Sequence, residues 1–189
     1  KELSQLKELD LNRTGISDAG FEIFLAMPHL EVLRFAKTST TGRGFWEVRK
    51  RKGFPVLRVV EAHHTQFGAF GFAGVKGMTS LEELDVAQSS VVDSSMLGLK
   101  GCTNLKVLDI SFNGVTSVGC KPFTGLRSLE SLNLRSNKGI GDVAFTFMKG
   151  LKNLKTLNVD ATGISLQAVS VLKMRFLPNV QVFHNGKQY

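Results

Sequence analysis

The 189-residue sequence predicts an α/β solenoid, one continuous stack of short units that each carry a strand and a helical segment. Three observations lead to that class. The stretches "LKELDLNRTGIS" at 6–17 and "LKTLNVDATGIS" at 154–165 are near copies of one another, far apart in the chain. Further copies lie between them at a nearly constant interval, and repetition at such a period marks units that bury their faces on their neighbours. Within each copy, apolar and polar residues alternate with the period of a strand, and a helix-start signal follows.

The copies start at Leu6, Leu30, Leu57, Leu81, Leu105, Leu129 and Leu154, with a partial copy near Val180. The steps between them are 24, 27, 24, 24, 24, 25 and 26 residues. Counting from each starting residue, positions 1, 4 and 6 are apolar. Positions 4 and 6 of a strand over 3 to 7 therefore point inward, and 3, 5 and 7 point outward. Position 9 is always short and polar: Thr14, Thr38, Thr65, Ser89, Asn113, Asn137 and Thr162. Such side chains bond backbone groups where a chain leaves a sheet, so the column predicts a stacked ladder.

Asp18, Asp93, Ser117, Asp142 and Ser165 come next, where helix N-caps belong. Behind them Phe21, Phe72, Met96, Cys120, Phe145 and Val169 share one place in successive copies, the core-facing place of the helix. "GAFGFAG" at 68–74 lacks the spacing and the Lys-Ser/Thr of a phosphate-binding loop. It aligns with a repeat turn, where its glycines make room for Phe67 and Phe72. At the two ends, the chain opens at Lys1 in mid-pattern, which reads as a piece of a longer protein. "LPNVQVFHNGKQY" at 177–189 reads as one last strand that then turns polar.

The pattern L-x-x-L-x-L-x-x-(N/T)-x-I resembles the leucine-rich repeat family, and the resemblance covers essentially the whole chain. It implies a right-handed horseshoe with a parallel β-sheet on the concave face and helices on the convex face. "TGISDAGF" at 14–21 is similar to the cysteine-containing repeats of ubiquitin-ligase receptors and their bacterial and protist relatives. Thr stands where that subclass has Cys, and 24 residues is short for it.

Composition fits a folded chain, with 42% apolar and 21% charged residues, and no apolar run is long enough to span a bilayer. Cys102 and Cys120 are too few for a disulfide-stapled secreted domain. Cys102 aligns with Met27 and Met78, and Cys120 with Phe21 and Phe72, so both read as buried free thiols in a reducing, cytoplasmic compartment. The sequon Asn12-Arg13-Thr14 falls on the internal ladder. His63 and His64 are adjacent, so on a strand they would point to opposite sides. His63 with Glu61 and Asp85 has the donor types of a cation site, but an exposed surface histidine is the simpler reading. No cofactor, no metal and no catalysis are expected.

Repeat register turns the net charge of +8 into a map. The outward positions of the sheet and its margins carry ten acidic and eight basic residues of the chain's 16 and 24, so the positive excess lies on the convex side. Position 5 reads Asp10, Arg34, Glu61, Asp85, Asp109, Asn133 and Asn158, placing three carboxylates on adjacent strands about 4.8 Å apart. This column is either a family habit or a docking strip for basic side chains. Glu61, His63, Glu83, Asp85, Asp109, Phe112 and Arg135 are the residues expected to take a protein partner with a basic surface. Phe112 is the candidate aromatic anchor, unless it packs along Gln88 and Ser136. The alternative is nucleic acid or an anionic surface at "GRGFWEVRKRKGF" (42–54), through Arg43, Arg49, Lys50, Arg51 and Lys52 beside Trp46, a run expected to be largely solvated.

Overall fold

The computed structural model describes residues 2–189. Its strands form one nine-stranded sheet in chain order: β1 (Glu8–Asp10), β2 (Val32–Arg34), β3 (Val59–Glu61), β4 (Glu83–Asp85), β5 (Val107–Asp109), β6 (Ser131–Asn133), β7 (Thr156–Asn158), β8 (Gln181–His184) and β9 (Lys187–Gln188). Neighbours from β1 to β8 pair in parallel, and β9 turns back antiparallel on β8. From β1 to β7 the register follows the repeat alignment, so position 4 of one coil faces position 4 of the next. The last step differs. Val182, not Phe183, pairs with Leu157, and Val182 and His184 take the inward places.

Side-chain alternation decides which face is buried. From Leu30 to Val159, the residues at positions 1, 4 and 6 are no more than 5% exposed. Leu6, Leu9 and Leu11 are only partly buried, because within the described residues no coil covers β1. The core-facing helix places are filled as expected, with Phe21, Phe72, Met96 and Cys120 fully buried. An aromatic cluster of Phe21, Phe24, Phe35, Phe45, Phe54, Phe67 and Phe72 packs the first three coils.

The convex layer consists of 3-10 segments at Asp18–Ala26, Leu97–Leu99, Ser117–Gly125 and Asp142–Phe147, and of helices α1 (Arg43–Lys50), α2 (Gly68–Val75), α3 (Asp93–Met96) and α4 (Leu166–Arg175). The 27- and 26-residue copies carry α1 and α4, whereas the short first, fifth and sixth copies cross the outside on the tighter helix and the fourth on α3 followed by a 3-10 turn. A 3-10 turn rises about 2.0 Å per residue against about 1.5 Å for α, so it spans the gap with fewer residues. Helix α2 fits into a short copy because glycine lets aromatic rings lie on it. A Cβ at Gly71 would sit 2.2 Å from the Phe67 ring, and one at Gly74 would sit 2.6 Å from the Phe45 ring. Phe72 is accommodated differently from the sequence expectation, by Gly98 of the next coil.

The position-9 ladder joins coils from Thr65 to Asn137, whereas Thr14, Thr38 and Thr162 bond the backbone of their own coil. Asn137 Nδ2 donates to Ile110 O (2.9 Å) and Leu134 O (3.0 Å), and its Oδ1 accepts from Val115 N (3.1 Å). Asn113 repeats this one coil earlier, and Ser89 and Thr65 join coil to coil through Ala62 O. The expected N-caps divide into two kinds. Ser165 Oγ accepts from Ala168 N and caps α4. The aspartates instead bridge coils: Asp18 accepts from Thr41, Asp93 from Thr116 and Asp142 from Ser165, each from both the amide and the hydroxyl. Each pair is 23 residues apart, one coil along.

Position 8 holds a regularity that no residue type announces. Arg13, Lys37, His64, Gln88, Phe112, Ser136 and Ala161 all have φ between 51° and 59°, and none is glycine. Left-handed backbone costs an L-residue roughly 1–2 kcal/mol. It turns the amide toward the next coil, as in Gln88 N to Ser111 O (2.9 Å) and Phe112 N to Arg135 O (2.8 Å).

Cys102 and Cys120 are free and fully buried, and burial pushes the Cys120 thiol up to about 12. Neither thiol is therefore expected to react with a maleimide in the native protein at neutral pH, since the thiolate is the nucleophile. Two labels should appear by mass spectrometry after unfolding in denaturant, and recovery of a disulfide would contradict the fold.

Candidate functional site

The outward face of the sheet brings the position-5 column together in one row, with Asp10, Arg34, Glu61, Asp85, Asp109, Asn133 and Asn158 paired strand to strand. The charges along it are not equivalent. Arg34 donates through Nε to Glu61 Oε1 (2.9 Å) and through Nη1 to Glu8. Glu61 is thus neutralised within the chain, and the expected strip of three carboxylates shortens to Asp85 and Asp109.

Asp109 Oδ2 accepts from Asn133 Nδ2 (2.7 Å) and its Oδ1 from Ser111 N (2.8 Å). Asp85 Oδ1 accepts only from Ala87 N (3.0 Å). Burial, helped by the charges of Asp109 and Glu61, holds the Asp85 carboxyl above the usual carboxylate range, against the pull of Ala87 N–H and His63. Desolvation, not repulsion between the carboxylates, is the larger cause. Glu83 is exposed on the same strand and forms no ion pair among the described residues.

At the N-terminal ends of the strands, position 2 alternates in sign: Lys7, Glu31, Arg58, Glu82, Lys106, Glu130 and Lys155. Ion pairs link Lys7 to Glu31 (3.3 Å), Glu31 to Arg58 (3.5 Å), Arg58 to Glu82 (3.0 Å), Glu82 to Lys106 (2.7 Å) and Glu130 to Lys155 (2.5 Å). Lys106 and Arg58 hold the Glu82 carboxyl below its ordinary range, and Lys155 does the same for Glu130. These charges satisfy one another. The recurrence of opposite signs every 24 to 27 residues is legible in the sequence.

At the C-terminal ends, Phe112 is 52% exposed and the Arg135 guanidinium lies 5.8 Å from its ring centre. Arg135 also reaches Asp160 at 3.8 Å. His63 and His64 follow β3 in a turn, with Nδ1 atoms 3.0 Å apart. They do not point to opposite sides, because His64 is left-handed (φ 55°). His63 lines a 90 Å³ crevice with Arg13, Lys37 and Asn12. Among the described residues no group of three or more His, Cys, Asp or Glu side chains is placed to hold a metal ion.

In the basic run around α1, Arg43, Lys50, Arg51 and Lys52 are exposed as expected, whereas Arg49 is half-buried: its Nε donates to Gly74 O (3.1 Å) and its Nη1 to Gly53 O (3.0 Å), and burial lowers its pKa. Lys50 pairs with Glu47 (3.3 Å) and lies 4.4 Å from the Trp46 ring centre, and Arg51 pairs with Glu22 (2.8 Å). Arg43 and Lys52 keep exposed charge, with Arg43 5.9 Å from the Phe70 ring centre. No helix of the described residues is long and apolar enough to cross a membrane.

A parallel sheet facing a helical layer, one strand per repeat, with a ladder of Thr, Ser and Asn between coils, defines the class of repeat solenoids. The chain belongs to the leucine-rich repeat family: sequence profiles described as leucine-rich repeat match residues 79–138, 103–164 and 3–22. A search of curated proteins found no sequence match. Solved structures share the fold at low identity. An internalin from Listeria monocytogenes has a TM-score of 0.72 at 18% identity over 96% of this chain. TLR13, in a complex with ssRNA13, has a TM-score of 0.62 at 20% identity over 96%. A complex of Latrophilin 3, Unc5D and the repeat domain of FLRT2 has a TM-score of 0.58 at 18% identity over 85%. The chain spans 48% of the internalin, 26% of the TLR13 and 55% of the third matched chain.

Proposed function

We propose that the chain is a non-catalytic recognition module that takes a basic segment of a partner protein on its concave sheet. Glu83, Asp85 and Asp109 form the acidic centre, and Phe112 and Arg135 border it. Leucine-rich repeats are commonly protein-interaction modules, and the FLRT2 repeat domain occurs in a complex with other proteins. One observation carries the choice of ligand. The acids on either side are paired, Glu61 with Arg34 and Glu82 with Arg58 and Lys106, whereas Asp85 and Asp109 lie in register with no ion-pair partner among the described residues. Two like charges at strand spacing repel by about 1 kcal/mol even in water, and an inserted Arg or Lys relieves that repulsion. A rigid sheet presents these groups without ordering a loop, which lowers the entropic cost of binding.

Fluorescence anisotropy with a labelled Arg-Gly repeat peptide tests the reading. Affinity is expected to fall about 10-fold or more in Asp85→Asn/Asp109→Asn, and to weaken as salt is raised. Acidification should also weaken it, beginning above the usual carboxylate range because Asp85 protonates early. Folding stability runs the other way. A raised carboxyl favours the fold while neutral, a contribution complete below 3.8 and lost as pH rises through the folded pKa. Asp85→Asn should therefore be neutral or stabilising at pH 7 while binding is lost. Arg43→Gln/Lys50→Gln/Lys52→Gln, which spares the internal Arg49, should leave the peptide affinity unchanged. Binding that survives the Asn pair and is lost in the Gln triple would move the working face to the outside. A generic single-stranded RNA bound more tightly than the peptide would do the same.

A further inference from the structure

We infer that the convex edge between the fourth and fifth coils carries a second docking groove, for an acidic peptide segment that inserts an aliphatic or aromatic side chain. A cavity of 580 Å³ opens there, lined by Leu97, Leu99, Pro122 and Leu126, with Lys76, Lys100 and Lys121 around it. Leu97 is 65% exposed, while Leu99 and Leu126 are buried beneath it.

Coil spacing explains why the groove lies here. Gly77 and Gly101 hold equivalent places in the third and fourth coils, and a Cβ on Gly101 would lie 3.0 Å from Gly77 Cα. Gly77 N also donates to Lys100 O at 3.1 Å, so those coils are clamped together. At the next equivalent place, a Cβ on Gly125 would meet nothing within 4 Å. The fifth coil also crosses its outer side on a 3-10 segment with Pro122 inside it, whereas the fourth crosses on α3 followed by one short 3-10 turn. The clamp is absent between these two coils, and the space between them is the groove.

Charge selects the occupant. Lys76, Lys100 and Lys121 form no side-chain hydrogen bond or ion pair among the described residues, and no carboxylate lines the cavity. Elsewhere on the convex side the acids are consumed: Asp18, Asp93 and Asp142 bridge coils, and Glu22 and Glu47 pair with Arg51 and Lys50. Three free ammonium groups around a leucine floor match a peptide with Asp or Glu flanking a Leu- or Phe-type residue. A bilayer does not enter a recess between coils, and single-stranded nucleic acid lacks an aromatic here to stack upon.

Selection from a random library of peptides about twelve residues long tests this, using the folded chain as bait and Lys100→Glu/Lys121→Glu as the counter-selection. Enriched peptides should carry acidic residues around one apolar side chain and bind the charge-reversal variant at least about 10-fold more weakly. Amide shifts in NMR spectra should map to Leu97, Lys100 and Lys121, and Leu97→Asp should abolish them. Asp85→Asn/Asp109→Asn should have no effect, which separates this groove from the concave face. An absence of enrichment over the counter-selection would overturn the inference, as would shifts confined to the sheet. Phosphatidylserine vesicles or a single-stranded RNA bound through the same lysines in place of peptide would overturn it too.

Discussion

Replacing Asn137 by Leu is expected to cost about 4 kcal/mol of folding free energy, the largest effect of any single exchange on the inter-coil ladder. The side chain is fully buried and serves two coils at once. Its amide donates to Ile110 O and Leu134 O, and its oxygen accepts from Val115 N. Leucine keeps the same branched heavy-atom skeleton and is bulkier, so the loss is not a cavity. It leaves the buried Val115 amide without a partner, at about 1–3 kcal/mol, and removes one of two donors from Ile110 O and Leu134 O, which keep Asn113 Nδ2 and the backbone N–H of residue 137, at about 0.5–1.5 kcal/mol for each bond lost. Because a solenoid is held by nearest-neighbour contacts, the weakened joint should also split the unfolding transition. Trp46 in α1 reports the coils before the break, and circular dichroism reports all of them. In urea, circular dichroism should begin to change before Trp46 fluorescence does. Coincident and unshifted transitions would show that the ladder does not couple the coils.

Gly98→Ala is expected to destabilise the fold by about 3 kcal/mol. An added Cβ would lie 2.1 Å from Phe72 O and 2.6 Å from Phe72 C, which are backbone atoms that cannot swing aside. The third and fourth coils would have to part along α2, and Phe72, Phe67 and Phe45 would loosen with them. Stiffening of the unfolded chain offsets only about 0.4–1 kcal/mol. Gly125→Ala, with nothing within 4 Å, serves as the control and should change the thermal midpoint by little. Equal midpoints for the two variants would mean that the coils are not in contact at Gly98.

These contrasts mark how much the sequence made legible. Period, strand register and inward residues followed from leucine spacing alone, because burial selects residue type at positions 1, 4 and 6 in every coil. The role of position 9 followed from polarity. What escaped depends on neighbours one coil away. Asp18, Asp93 and Asp142 have the composition of caps, yet they bond the following coil, and only their 23-residue distance to Thr41, Thr116 and Ser165 hints at it. Arg49 looks like one more charge in a basic run until its two backbone carbonyl partners are known. Left-handed φ at position 8 is carried by Arg, Lys, His, Gln, Phe, Ser and Ala, so no residue preference betrays it. The hairpin of β8 and β9, where one last strand was expected, is signalled by Asn185 and Gly186, which with φ of 50° and 73° form the two-residue turn that such a dipeptide favours.

The position-2 row of alternating charge works as a parity rule on the length of the stack. Excising the third unit alone, 57–80, would set Glu31 directly beside Glu82, carboxylate against carboxylate. Excising the third and fourth together, 57–104, would set Glu31 beside Lys106 and restore a pair of opposite sign. The same holds for insertion: one extra copy breaks the sequence of signs, and two preserve it. At the strand ends, this chain counts its coils in twos.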